Sequence, residues 1–413
     1  MDHATTLIAR TRTARFTRRQ FAIGATAGIT LTTLRGRAIL AQDASPAVEP
    51  TLADGVELTV LAGGLEAPRF VAVDGDTVYV TESGTGGDEA YFGTPEPGTP
   101  AAADPLGSRG NTGRLVAVSA DGTVTPIVDD FISYRLGESE FLGPAGIGLD
   151  GAGFAYVAVS APGPQVGFIE LTGTENAVYK VDLATGESTL VANVGEYELA
   201  NNPDPNAIDS NLFGAAYHDG AFYVADAGGN AIYTVDVETG EVSPLDVTGG
   251  LEVEIFGEAG NPLRGGAPEI DSVPGAVAVD AEGNVYLSFV TGGPFPVGGA
   301  PIYRYGADGV REVYATGLTM TAGLAFASDG TLYASILSAD MVNGAPGQIV
   351  RVSTDGNHEV IVDGLLTPAG IAFGADDTLY VASKTNGFQG AGELLKITGV
   401  TTATGVPVGT PAS

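Results

Sequence analysis

A tyrosine stands in the middle of a short apolar run six times along the chain: Tyr79, Tyr156, Tyr223, Tyr286, Tyr333 and Tyr380, in VYV, AYV, FYV, VYL, LYA and LYV. Each run follows another whose central residue is small: Ala72, Gly148, Ala216, Ala278, Ala325 and Ala372. Successive tyrosines lie 47 to 77 residues apart, the period of a radial or solenoid repeat, and this constrains the fold more than any single motif. Each repeat carries two further strand-like segments. The third set begins at Leu115, Val178, Ile232, Ile302, Ile349 and Leu394; the fourth reads VTPIV, TLVA, VSPL, VREVY and HEVIV. Five fourth segments follow six third ones. The missing one is VELTVL, Val56 to Leu61, which precedes the first repeat with no third segment before it. A ring of four-stranded antiparallel units protects its edges when the last unit borrows a strand from the opposite end of the chain. The sequence therefore predicts an all-β fold over 55–399: a six-bladed β-propeller of four-stranded antiparallel blades, closed by an N-terminal strand completing the last blade. Small residues at the centres of the first strands fit inner strands that crowd toward an axis.

The connections are unequal. First-to-second and third-to-fourth links are tight turns such as Asp74-Gly75, Asp329-Gly330, Asp121-Gly122 and Asp355-Gly356, in which glycine takes the positive φ that such hairpins need. These all fall on one face. The long links, Ser83 to Thr112, Ala161 to Glu175, Asn193 to Asn211, Asp246 to Val273 and Val290 to Ala300, share the other. Binding groups are expected on that long-loop face and at the mouth of the axis, because loops on a rigid scaffold carry function.

Residues 1–41 stand apart. They hold seven arginines and one acid, then the weakly apolar stretch Phe21 to Leu34. Thr17-Arg18-Arg19-Gln20-Phe21 has the form of a twin-arginine export signal, with cleavage expected after Ala41 or Ala44 and 42–54 as a linker. The apolar stretch falls short of the ~20 residues that span a bilayer, so no membrane insertion is expected after cleavage. Such a protein is expected outside the cytoplasm, in the periplasm, the envelope or the medium. The absence of cysteine fits export of an already folded chain whose core suffices without disulfides. The whole chain has 18 basic and 50 acidic residues; without 1–41, 11 and 49 remain, a net charge of −38. That balance disfavours nucleic acid and anionic lipid. Gly86 to Arg109, rich in Gly, Pro and Ala, reads as a flexible insertion, and 400–413 as a flexible tail.

Chemistry is sparse. Beyond the leader only His218 and His358 remain, in a tight turn on the wrong face and in an outer strand, so histidine catalysis, a Ser-His-Asp triad and a zinc site are not expected. No glycine-rich phosphate loop follows a strand and opens a helix. Oxygen ligands remain. Three residues after each tyrosine the second strand ends at the favoured mouth, and only Glu82 and Asp226 are acidic there. The segment NNPDPNAIDSN adds Asp204, Asp209 and Asn211, and Asn230 follows Asp226. These groups either hold Ca²⁺, which takes six to eight oxygens, or make turns through their own side chains. In TGGPFPVGGAPIYR, Phe295 between two prolines either plugs the mouth or offers an apolar contact to a ligand.

At these residues the chain resembles a family. YELANNPDPNAIDSNLFGAAYHDGAFYVADAGGNAIYTVD, SVPGAVAVDAEGNVYLS and TGGPFPVGGAPIYRY are similar to segments of the ScyD/ScyE family of exported propeller-like proteins. The resemblance runs from about Val56 to Gly399 and implies an exported propeller with no catalytic residue to carry over. The chain departs from the family pattern at Phe289 and Ile336, where an acid often stands. The calcium-dependent gluconolactonase family is a more distant likeness of fold. It implies a channel set of Glu, Asn and Asp, met here by Glu82, Asn211 and Asp226 as metal residues. Two functions are thus expected: a monomeric, non-catalytic scaffold holding a small-molecule ligand or an envelope protein through Glu82, Asp209, Asn211, Asp226, Asn230 and Phe295, or a Ca²⁺-dependent hydrolase of lactones or similar esters.

Overall fold

The computed structural model describes residues 49–92, 105–137, 140–162, 173–206, 209–254, 260–261, 264–386 and 390–408. The twin-arginine motif and both expected cleavage points lie outside the described residues. Six four-stranded antiparallel sheets follow one another along the chain. Blade one runs Pro68–Asp74, Thr77–Glu82, Gly107–Val118, Val124–Leu136; blade two Pro144–Leu149, Phe154–Val159, Ala177–Asp182, Ser188–Asn193; blade three Leu212–His218, Ala221–Asp226, Ala231–Asp236, Val242–Val247. Blade four runs Pro274–Val279, Val285–Phe289, Ala300–Tyr305, Arg311–Leu318, and blade five Thr321–Phe326, Leu332–Ile336, Gly347–Arg351, Glu359–Leu365. Blade six has Ile371–Phe373, Leu379–Ser383 and Gly392–Thr398, and its fourth strand is Glu57–Leu65, with Leu58 opposite Ile397 and Thr59 opposite Lys396. The predicted closure is therefore the observed one.

Both ends of the described chain then reach blade five. Thr51–Leu52 pairs with Asp363 and Val362, and Val406–Pro407 with Val360 and Glu359. The segment 400–408, expected as the start of a flexible tail, is thus paired along an edge that would otherwise present open backbone groups, with Val400 and Ala403 buried.

First strands are buried on both sides, as in Pro144–Leu149 and Pro274–Val279, because neighbouring blades cover them. Their tightest approach comes two residues before the small central position. There blades two, three, five and six carry Gly146, Gly214, Gly323 and Gly370, and a Cβ built on any of them would sit closer than 3.0 Å to backbone of the next blade. Blade four has Ala276 at this position and blade one has Phe70. The Phe70 ring meets that of Phe213 edge-on at 5.1 Å. Blades one and three are not neighbours, so Phe70 lies across the axis and fills it. Hydroxyls two residues after the tyrosine join adjacent blades: Thr81 donates to the Ala145 carbonyl at 2.5 Å, Ser288 to Thr321 at 2.9 Å, and Ser335 to Ala369.

Two features depart from the expected pattern. A helix, α1 (Val194–Asn201), stands in the blade two to blade three link; Asn193 caps it by accepting from the Glu196 N–H at 2.7 Å, and Asn202 closes it in the left-handed conformation. The insertion in blade one is not wholly irregular either. Glu89–Tyr91 pairs with Gly107–Arg109, and Glu140–Leu142 pairs with Tyr134–Leu136, widening this sheet on the long-loop face.

Candidate functional site

The mouth of the axis on the long-loop face is built by a repeated closure. After each second strand a backbone N–H returns to the carbonyl just before the first strand: Ser83 to Ala67, Ser160 to Gly143, Ala227 to Asn211, Val290 to Val273, Leu337 to Met320 and Lys384 to Leu366. Ala67, Val273, Met320 and Thr367 enter their first strands with φ between 41° and 52°. For β-branched Val273 and Thr367 this is a strained conformation that only a well-packed surround maintains. The rim is therefore rigid.

Its floor is apolar. Val290, Met320, Ala322, Leu337 and Ala369 form a buried cluster against which Phe213, Val273, Phe295 and Met341 pack. Phe295 is half-buried at φ 59° and packs against this cluster. Val297, Val342 and Leu366 are 64%, 59% and 45% exposed. They stand two residues after Phe295, one after Met341 and three before Ala369, which puts one exposed apolar side chain on each of three long-loop links.

The acidic residues singled out from the sequence are not free oxygens. Glu82, fully buried, accepts from the Glu66 N–H at 2.5 Å and takes Arg114 on both oxygens, at 2.9 and 2.8 Å. Arg114 is its partner across the blade-one ladder. Burial raises the Glu82 carboxyl, and the two donors oppose that rise. Asp226, also buried, accepts from the backbone of Asn211, Gly228 and Gly229 at 2.7 to 3.1 Å and from the Ser210 hydroxyl at 2.7 Å. Burial raises this carboxyl too, against the same donors. Asn211 accepts from Ser160 Oγ. Asp209 accepts from the Ser210 N–H at 2.9 Å. Asn230 donates to Asp204 and Asp271 and accepts from Val273 N–H and Ser272 Oγ. Asn211 and Asp226 are thus brought together, while Glu82 is committed to Arg114. The side chains of Asp226, Asn211 and Asn230 organise loops, the alternative to a metal role. A calcium ion held by Glu82, Asn211 and Asp226 does not fit these partners. Among the described residues, no three His, Cys, Asp or Glu side chains group so as to hold a metal ion.

Asp204 belongs to a buried polar network that reaches Glu198 of α1. Arg264, 6% exposed, bridges Asp204 at 3.1 Å, Asp271 at 2.8 Å and Glu269 at 3.4 Å. Glu198 of α1 is buried and accepts from the Tyr233 hydroxyl. A Cβ on Gly229 would lie 3.3 Å from the carboxyl carbons of both Glu198 and Asp226, so two buried acids face each other. Burial first, and Asp226 next, push Glu198 up to about 8, while Tyr233 acts the other way. Between its ordinary value of 4.5 and about 8, the unfolded chain ionises here while the folded one keeps its proton. Stability supplied by this group is full below 4.5, is lost as pH rises, and levels off above 8. Denaturation midpoints measured across this window should fall less steeply in Glu198→Gln than in the parent; equal slopes would disprove the protonated carboxyl.

Two charged groups at the mouth escaped the sequence reading. Arg69, 3% exposed, donates Nε to Ser83 Oγ at 3.0 Å and Nη2 to the Phe141 carbonyl. Burial lowers it to about 10, with Glu140 acting the other way. Arg264 stands 60 residues from Asp204, and only the fold joins them. Arg69 could have been found by alignment, since it replaces an apolar or small residue in every other first strand.

No family model and no curated protein matches the chain. Solved structures similar to it include a gluconolactonase from Xanthomonas campestris, 14% identical over 86% of this chain and 99% of that one, with a TM-score of 0.48. Another, described as an oxidoreductase (glucose dehydrogenase) from Thermus thermophilus, is 17% identical over 83% of this chain and 100% of that one, with a TM-score of 0.47. A protein of unknown function from Bacteroides thetaiotaomicron is 12% identical over 84% of this chain and 76% of that one, with a TM-score of 0.49. No activity follows from likenesses at this level.

Proposed function

We propose that the chain is an exported, non-catalytic binding propeller that docks an envelope protein on its long-loop face. The reading is supported by the exposed Val297, Val342 and Leu366 on three long-loop links, next in sequence to residues of the buried apolar floor. An apolar centre on a rigid frame with a polar rim is the usual make-up of a protein contact. A filled axis favours a broad partner over a small organic ligand. The arginine pair of the leader and the ScyD/ScyE resemblance support export. The acids expected to carry calcium chemistry are engaged with internal donors, and His358 is held by the Thr316 carbonyl at 2.7 Å and the Ser353 N–H.

The test uses Nile red, a neutral dye for apolar surface, and lactone hydrolysis with and without chelator. Dye emission should rise on the parent and disappear in the Val297→Glu, Val342→Glu, Leu366→Glu triple variant, with both melting alike. Chelator should shift Tm by less than about 1 °C, because no bound ion contributes to stability. Dye binding that survives the triple substitution would remove the docking surface. Calcium-dependent lactone hydrolysis lost in Asp226→Asn would replace the scaffold reading with the hydrolase one.

A further inference from the structure

Blade five contains a peptide-binding device already loaded with the chain's own segment, and blade four repeats it unloaded. In blade five, Tyr333, Arg351 and Glu359 lie opposite one another across three adjacent strands. Arg351 donates Nε to the Tyr333 hydroxyl at 2.9 Å and pairs with Glu359 at 2.5 Å. Its Nη2 donates to the carbonyls of Val400 and Ala403, both at 2.8 Å, and the Tyr333 hydroxyl donates to Val400 at 3.2 Å. The segment continues to Val406–Pro407, which pairs with the outer strand, and Val408 N–H reaches His358 at 2.9 Å. What is recognised is a small-residue segment, VTTATGVPV, whose first residues form a turn closed on the Gly399 carbonyl and whose Val406–Pro407 is extended.

Blade four has the same row. Tyr286 lies opposite Arg304, and Arg304 opposite Glu312, with Arg304 Nη1 3.2 Å from Glu312. Here the row opens on a cleft of about 570 Å³, bounded also by Asp280, Tyr314 and, from blade five, Thr354. The outer strand Arg311–Leu318 is a sheet edge with no further strand among the described residues, and Val313 on it is 63% exposed. The surroundings of the two rows differ, with Asn284 and Tyr314 standing where blade five has Thr331 and Ile361. Asp280 stands where blade five has Ala327, and it takes the Tyr286 hydroxyl at 3.0 Å, leaving Arg304 as the donor for incoming carbonyls.

We infer that blade four binds a small-residue segment of a partner polypeptide, a turn followed by a short extended stretch. The segment places backbone carbonyls on Arg304 and adds a strand to Arg311–Leu318, the way blade five holds residues 400–408. The site is on the tight-turn face, away from the long-loop surface, so the two surfaces can be occupied independently.

The probe is a fluorescein-labelled VTTATGVPV peptide, titrated by polarisation into the full chain, whose blade five already holds its own copy. Saturable binding is expected, weakened about tenfold or more in Arg304→Ala, the usual loss when a charged donor to a carbonyl is removed. Arg311→Ala, on the same strand but paired with Asp246, should stay within about twofold, as a rim charge does. No saturable binding up to about 1 mM, an affinity weaker than −4.1 kcal/mol, would overturn the inference. So would binding unchanged in Arg304→Ala but lost in Arg351→Ala, which would mean displacement of the segment in blade five.

Discussion

Gly370→Ala is expected to destabilise the propeller by about 3 kcal/mol or more, at the upper end of overpacking costs in well-packed interiors. The new methyl would meet the Phe70 backbone and lie 2.8 Å from the Arg69 carbonyl, to which Gly370 N–H itself donates at 2.8 Å. Neither neighbour is the free end of a side chain. Blade one would have to retreat from blade six, and Phe70, which lies across the axis to reach Phe213, would move with it. The ring shares that displacement among all six first strands, so relief is costly. Gly63→Ala is the matched control, because nothing lies within 4 Å of its Cβ position; it should stay within about 0.5 kcal/mol. Thermal unfolding should separate the two by roughly 3 °C or more. Equal melting would mean that the inner ring is loose and that the axis is not filled as described.

Arg264→Met should cost about 3–5 kcal/mol, the range for removing one partner of a buried ion group. Asp204, 2% exposed, and Asp271 would lose their shared cation, with Asp226 and Glu198 close by in the same network. The loss should be local first. Hydrogen exchange should quicken in α1 and in 264–273 before the blades respond, because these segments carry the network's own Glu198, Arg264 and Asp271. Adding Asp204→Asn and Asp271→Asn to Arg264→Met should restore part of the loss, since the unpaired charges go with the cation. A cost under about 1 kcal/mol, the size of an exposed pair, would show that the network is solvated.

The architecture was legible because it is written in local, repeated patterns. Six tyrosine runs, a small residue before each, and one strand out of place at Val56 to Leu61 are visible without any long-range knowledge. α1 was signalled only by Asn193 and Glu196, three residues apart, and eight residues carry too little periodicity to be noticed. The site was harder to see because its meaning lies in register. Glu82 looked like a free acid at a channel mouth until the ladder set Arg114 opposite it, and Asp226 until loop backbones converged on its oxygens. Arg264 and Asp204 share no local pattern. The parallel between Tyr286, Arg304, Glu312 and Tyr333, Arg351, Glu359 was present in the sequence but acquires meaning only when strands are paired.

The docking of Thr51–Leu52 and Val406–Pro407 on one strand, Glu359–Leu365, has a mechanical consequence. A pull applied between positions 49 and 408 meets two very short pairings on blade five before it reaches the nine-residue Glu57–Leu65 strand that seals the ring. Those pairings act as a fuse. They and the Arg351 contacts to Val400 and Ala403 take the load first, so a cargo or anchor attached at either end would tug on blade five before the strand that seals the ring.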